Sequence, residues 1–148
     1  DEQIISGVKK AYNSCRLEEI GSGKLKDLLK NNTLILDSSH NPGGSKALNE
    51  FLQTLNCKKH VIIGMMENKD HEKFLSYFKD ISSLTVVDIP NQINAISGMK
   101  LKEKLKNIPN LNYKESIEQA IKSLRLERND IVLITGSIYL AGEVLRIN

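Results

Sequence analysis

The sequence predicts an α/β domain built on a doubly wound, mainly parallel sheet. Three observations carry that prediction. The runs LILD (34–37), VIIG (61–64), TVVDI (85–89) and IVLIT (131–135) are continuously apolar rather than alternating, as expected of strands covered on both faces. The stretches between them carry apolar residues at helical spacing. Clusters of Gly, Ser, Asn and Asp separate the two kinds of segment, where their backbone and side-chain preferences favour turns. A chain of 148 residues that is 40% hydrophobic and 26% charged has room for one proper core.

In chain order, Ile4, Ile5, Val8 and Ala11 recur at helical spacing, so residues 1–12 read as the tail of a preceding helix or linker. The domain proper is then 13–148. Residues 16–20 read as a short strand. Gly21-Ser22-Gly23-Lys24 resembles the end of a phosphate-binding loop, but that motif needs Gly where Glu18 stands and Ser or Thr where Leu25 stands. A surface turn is the better reading. A strand follows over 33–37, then a helix over 45–55, a strand over 60–64 and a helix over 70–78 with Phe74, Leu75 and Phe78 on one face. Next come a strand over 84–89, a helix over 97–105, a weak strand over 111–113 and a helix over 116–126. Strand 131–135 leads through Gly136 and Ser137 into a final helix to 145. The loop 90–98 is the longest stretch without a pattern, and no internal repeat is present.

Composition excludes several classes of function. The 21 Lys and Arg against 18 Asp and Glu give a net charge of +3, spread along the chain, which is no nucleic-acid footprint and leaves small anionic ligands open. No apolar run approaches the roughly 20 residues of a membrane helix. The first residues lack the basic-then-apolar pattern of a secretory signal, so a cytoplasmic protein is expected. Cys15 and Cys57 have neither the density of a disulfide scaffold nor the spacing of a zinc site, and read as thiols. His60 and His71 stand apart from any metal-ligand spacing; one begins a strand and the other sits in the first turn of a helix.

Chemistry is expected at strand ends, since ligands of open α/β sheets bind outside the carboxyl ends of the strands. Three connections qualify. In LILDSSHNP (34–42), Asp37, His40 and Asn41 stand where a strand gives way to a helix. In GMMENKD (64–70), Asn68 or Asp70 can cap the next helix while Lys69 projects beside its amino end. In Thr135-Gly136-Ser137, Gly136 permits close backbone approach and Ser137 can cap a helix or bind a ligand. Their convergence on one crevice says more than any one of them.

Together, C-R-L-E at 15–18, L-D-S-S-H-N-P-G-G at 36–44, G-M-M-E-N-K-D at 64–70 and T-G-S-I-Y-L-A-G-E at 135–143 resemble the C-terminal domain of the folylpolyglutamate synthase/dihydrofolate synthase family, in the Mur ligase superfamily. The resemblance runs from about Tyr12 to the end of the sequence, and its G-S-x-Y-L-x-G-E ending points to the folate branch. It implies a Rossmann-like Mur ligase C-terminal domain and part of an ATP-dependent ligase. Such a ligase activates a folate carboxylate as an acyl phosphate, which the amino group of L-glutamate then attacks. The phosphate-binding loop, the Mg2+ ligands and the modified lysine of that family belong to N-terminal and central segments, so this chain alone is expected to be inactive.

The resemblance also assigns roles. Arg16 matches the arginine that reaches the phosphate and ribose side of ATP, Asp37 the aspartate that accepts from the ribose hydroxyls, and His40 the histidine beside it, with Asn41 and Pro42 shaping that nucleotide-binding loop. Lys69 falls where relatives hold the carboxylate of the incoming glutamate, with Ser137 and Tyr139 on the same side. No catalytic or metal-ligating residue is expected in this segment itself. Relatives usually carry Pro-Gly where Ser14-Cys15 stand and Gly-Ala where Ser38-Ser39 stand, and often an arginine within 91–95. Two alternatives remain beside this reading: the C-terminal domain of another Mur-type amide ligase, or a stand-alone nucleotide-binding or interaction module without catalysis.

Overall fold

In the computed structural model, which describes residues 15–148, strands and helices alternate. They are β1 (Glu18–Glu19), α1 (Lys24–Leu29), β2 (Thr33–Leu36), α2 (Pro42–Gln53), β3 (Lys59–Ile63) and α3 (His71–Ser76), followed by β4 (Ser83–Val87), α4 (Gly98–Lys104), β5 (Leu111–Lys114), α5 (Ile117–Ser123), β6 (Ile131–Thr135) and α6 (Ile138–Ile147). The tail expected over 1–12 lies outside the described residues. The strands form one sheet in the order β1-β2-β6-β3-β4-β5. Only β1 runs antiparallel, pairing Glu18 with Leu36 and Glu19 with Ile35; every other pairing is parallel. The doubly wound, mainly parallel sheet expected from the apolar runs is therefore present.

The central strands β3 and β6 are buried along their whole length, because helices cover both faces. Alternate residues of each strand divide between two cores. Leu34, Leu36, Ile62, Val132 and Ile134 pack with Leu25 and Leu29 of α1, Ile117 and Ile121 of α5, and Leu140 and Val144 of α6. Ile35, Val61, Ile63, Leu133 and Val86 pack on the other face with Leu48 and Leu52 of α2, Phe74 and Leu75 of α3, and Leu101 of α4.

Five of the helices begin at a residue whose side chain accepts one of the helix's unpaired N–H groups: Asn41, Asp70, Ser97, Ser116 and Ser137. Each such cap stabilises its helix by about 1 kcal/mol. The cap also fixes where a strand-end loop stops and a helix starts, which sets the geometry of the crevice.

Most boundaries differ from the sequence reading by a residue or two, and the following differences bear on the site or the packing. Strand β2 ends at Leu36, one residue before Asp37. Helix α2 starts at Pro42 rather than 45, since proline suits the first helical position and Asn41 caps it. Helix α5 ends at Ser123 instead of running to 126, because Leu124 already has an extended ψ of 139°. Helix α1 replaces what reads in the sequence as turn and unassigned chain. Its amino end is capped from far along the chain: Asn148 accepts the Leu25 N–H through Oδ1 at 3.0 Å and the Lys24 N–H through its main-chain oxygen at 3.0 Å.

Candidate functional site

The carboxyl ends of β2, β6 and β3 lie side by side, so the three strand-end loops singled out in the sequence are neighbours. Backbone bonds lock them together. The Asp37 N–H donates to Ile134 O at 3.0 Å, Gly136 N–H to Ser39 O at 3.0 Å, and Gly64 N–H to Thr135 O at 3.3 Å. Gly136 has φ of 113°, and a Cβ there would stand 2.5 Å from the Gly64 carbonyl oxygen. This close approach needs glycine.

On the β2 side, Asp37 is 5% exposed, and both its oxygens are engaged: Oδ2 accepts the Leu17 N–H at 3.0 Å and Oδ1 the Ser39 N–H at 2.8 Å. Ser38 donates through both its N–H (2.9 Å) and its hydroxyl (2.8 Å) to the Cys15 carbonyl. The Cys15–Leu17 stretch is thus strapped across the end of β2 from both sides. Between the two clamps stands Arg16, exposed and without a side-chain partner among the described residues. Leu17 accommodates the turn with φ of 50°, a left-handed conformation uncommon for a residue with a Cβ.

His40 is half-buried and its Nδ1 lies 3.0 Å from the Ser38 carbonyl. A carbonyl only accepts, so Nδ1 carries the proton and Nε2 has no hydrogen-bond partner among the described residues. Asn41 is exposed, and its Oδ1 accepts the Gly44 N–H at 2.9 Å. Its side chain is occupied in starting α2.

On the β3 side, the patternless loop 90–98 proves to be a brace. Ile96 N–H donates to Met65 O at 3.1 Å, Glu67 N–H to Asn94 O at 2.8 Å, and Met66 bridges Ala95. His71, 1% exposed, donates through Nε2 to Met66 O at 2.8 Å and accepts from Lys104 Nζ through Nδ1 at 2.9 Å. Lys69, held between these fixtures, is half-buried with no partner for its ammonium among the described residues. Ser137 is 1% exposed and its Oγ accepts the Tyr139 N–H at 3.0 Å. Tyr139 is half-buried beside it in the first turn of α6.

Arg16, Asp37, His40 and Asn41 therefore gather at the carboxyl end of β2, Ser137 and Tyr139 follow β6 at the start of α6, and Lys69 stands in the loop between β3 and α3. Sequence reasoning gives no structural role to Ser38, Leu17 or Thr135. Thr135 follows Ile134 at the end of β6 and is buried, and its hydroxyl has no hydrogen-bond partner among the described residues. Among those residues, no three His, Cys, Asp or Glu side chains cluster to hold a metal ion. None of their helices is long and apolar enough to cross a membrane.

Residues 16–138 match the family model described as Mur ligase, glutamate ligase domain. No match was found among curated proteins. Several solved structures share the fold. The folylpolyglutamate synthase from Thermotoga maritima superposes with a TM-score of 0.74 at 24% identity, over 90% of this chain and 31% of that one. The bifunctional folylpolyglutamate synthase/dihydrofolate synthase from Yersinia pestis, complexed with AMPPNP and Mn ion, gives 0.71 at 21% identity, over 88% of this chain and 30% of that one. The Mycobacterium tuberculosis folylpolyglutamate synthase complexed with ADP gives 0.73 at 19% identity, over 88% and 31%. The chain spans about three-tenths of the length of each of these relatives. With the family model matching most of the chain, it belongs to the Mur ligase, glutamate ligase domain family.

Proposed function

We propose that residues 13–148 form the C-terminal domain of a cytoplasmic, ATP-dependent ligase that joins L-glutamate to a folate, with the phosphate-binding loop and the Mg2+ ligands supplied by other segments of the same enzyme. The observation that carries this reading is that two cationic side chains, both without partners among the described residues, stand in loops along the carboxyl edge of the sheet, one at the end of β2 and one after β3. Arg16 is strapped beside Asp37 at the end of β2, and Lys69 stands in the connection after β3, with the end of β6 and Ser137 between these strands in the sheet order. Two anionic substrates would then meet over the same edge of the sheet. The family and the ADP- and AMPPNP-bound relatives support ATP as one of them and glutamate as the other.

In this reading the domain contributes positioning and charge rather than covalent chemistry, as phosphoryl transfer requires. Arg16 presents a planar fork of donors to the ATP phosphates. Asp37 has a further lone pair on each oxygen for the ribose hydroxyls. His40 offers Nε2 to the nucleotide at the loop mouth. Lys69 neutralises a carboxylate of the incoming glutamate, whose amino group attacks the activated folate carboxyl and displaces phosphate. The Ser137–Tyr139 turn borders that pocket.

The test is steady-state titration of glutamate and ATP separately on the full-length ligase carrying Lys69→Met. The half-saturating glutamate concentration should rise by far more than that of ATP, since the change deletes an interaction with one substrate. Equal shifts for both, or none, would overturn the assignment. The 148-residue chain alone should turn over no ATP above a buffer blank.

A further inference from the structure

A second cleft, of about 460 Å³, lies at the opposite end of the sheet, where β3 and β4 begin. Its floor is polar. Thr85 of β4 stands in register with Asn112 of β5, and Ser83 and Lys114 lie two residues away on their respective strands, so all four share one face. The wall is His60, 6% exposed, whose ring bridges Ser83 Oγ (Nδ1, 2.7 Å) and Asp130 Oδ2 (Nε2, 3.0 Å). Asp130 also accepts the Glu127 N–H at 2.9 Å. Its carboxylate sits behind the imidazole and does not line the cleft. Nε2 donates to the carboxylate, and Nδ1 meets the Ser83 hydroxyl, which sets that side chain in place.

Three cations line the cleft, Lys58, Lys114 and Arg125, and no Asp or Glu does. Lys58 is paired with Glu127 at 2.9 Å, whereas Lys114 and Arg125 have no ion pair among the described residues. The chain's excess of positive charge is mild and dispersed in sequence, yet the topology gathers these side chains, from β5, the end of α5 and the loop before β3, around one concavity. A cleft with walls of a single sign concentrates counter-ions. Ammonium and guanidinium groups beside hydroxyls and an amide are the donors that a multiply charged oxyanion takes.

We propose that this cleft is a binding site for a small polyanion bearing phosphate or clustered carboxylate groups, separate from the ligase crevice and independent of the function assigned to it. Isothermal titration of the chain with inorganic phosphate, and in parallel with γ-linked triglutamate, tests this against a Lys114→Ala/Arg125→Ala variant and a Lys69→Met variant. The expected result is saturable binding of at least one probe at roughly millimolar concentration or below, a range accessible to two partnerless cations. The double variant should weaken it at least tenfold, and Lys69→Met should leave it unchanged. Tighter binding of phosphate identifies a phosphorylated ligand, and tighter binding of triglutamate a polycarboxylate. Arg125 is exposed and Lys114 half-buried, and an unfolding curve verifies that the double variant is folded. Binding of neither probe, or binding that survives the double variant or is lost with Lys69→Met, overturns the proposal.

Discussion

The Asp37 carboxylate accepts the Leu17 N–H at 3.0 Å, which ties the end of β2 to a turn twenty residues earlier in the chain. Sequence order places Arg16 and Asp37 far apart; this bond makes them one unit. The carboxylate thus has a structural duty besides the one expected of it toward ATP.

Asp37→Ala and Arg16→Ala should therefore behave differently. Loss of the buried carboxylate leaves the Leu17 and Ser39 N–H groups without their acceptor, at a cost of about 1–3 kcal/mol for each left buried. Arg16 is exposed and its side chain bonds nothing among the described residues, so its removal should change stability by less than about 0.5 kcal/mol. Both should weaken ATP use, Arg16→Ala by about tenfold to a hundredfold, the worth of a charge-assisted contact of roughly 1.5–3 kcal/mol. Urea unfolding of the chain beside ATP titration of the full-length ligase separates the effects. A destabilised Arg16→Ala, or an Asp37→Ala as stable as wild type, would contradict the clamp.

Gly136→Ala probes the junction of β6 with β3. At φ of 113° an added methyl is strained, and it would stand 2.5 Å from Gly64 O. The backbone of two central strands would have to move, so the loss should exceed the 1–3 kcal/mol typical of one residue held in a sparsely populated conformation. The urea midpoint should fall accordingly. A midpoint within error of wild type would mean that the strand ends are not locked as the Gly136–Ser39 and Gly64–Thr135 bonds indicate.

Much of this fold is legible in the sequence because strands buried on both faces have no polar alternation to blur them: Leu34, Val61 and Leu133 sit in continuous apolar runs. Asp70 and Ser137 are readable as helix starts for a local reason, since each caps a residue two or three positions on, whereas after Asn41 the sequence reads as helix only from 45. Helix α1 is illegible because its cap is not local. Gly23 offers no side chain, and the amino end is satisfied by Asn148, which also donates to Ser22 O at 2.9 Å. In the site, Asp37, His40 and Lys69 could be picked by type and position, and Arg16 only through the family resemblance. The bonds of Ser38 to Cys15 and of His71 to Met66 could not, because nothing in spacing predicts which carbonyl a loop side chain will meet.

Ser137→Ala should lower stability by about 1 kcal/mol, the worth of a helix cap, since Oγ accepts the Tyr139 N–H. If the hydroxyl also borders the glutamate pocket, the half-saturating glutamate concentration should rise as well, but by less than in Lys69→Met, because a neutral hydroxyl contributes less than a charge pair. Lys69→Arg should restore only part of the loss, as a planar fork does not replace a compact ammonium. A Ser137→Ala ligase that is destabilised but kinetically unaltered would leave Ser137 a cap alone.

Asp130 makes the domain acid-sensitive in a predictable direction. Burial by itself would raise its pKa, but the Glu127 N–H, the hydrogen bond from His60 and the positive charge of His60 and Lys58 outweigh burial and hold it below the usual 3.8. A carboxylate with a depressed folded pKa contributes stability that is fully present above the unfolded value, and that contribution is lost as the pH falls through the folded one. Urea midpoints measured from pH 7 downward should hold while Asp130 stays ionised in both states, then drop as the unfolded chain takes up its proton near pH 4 and below. Asp130→Asn should remove this share of the slope while keeping an oxygen to accept the Glu127 N–H. An identical acid slope in wild type and variant would show that the carboxylate behind His60 carries no linked stability.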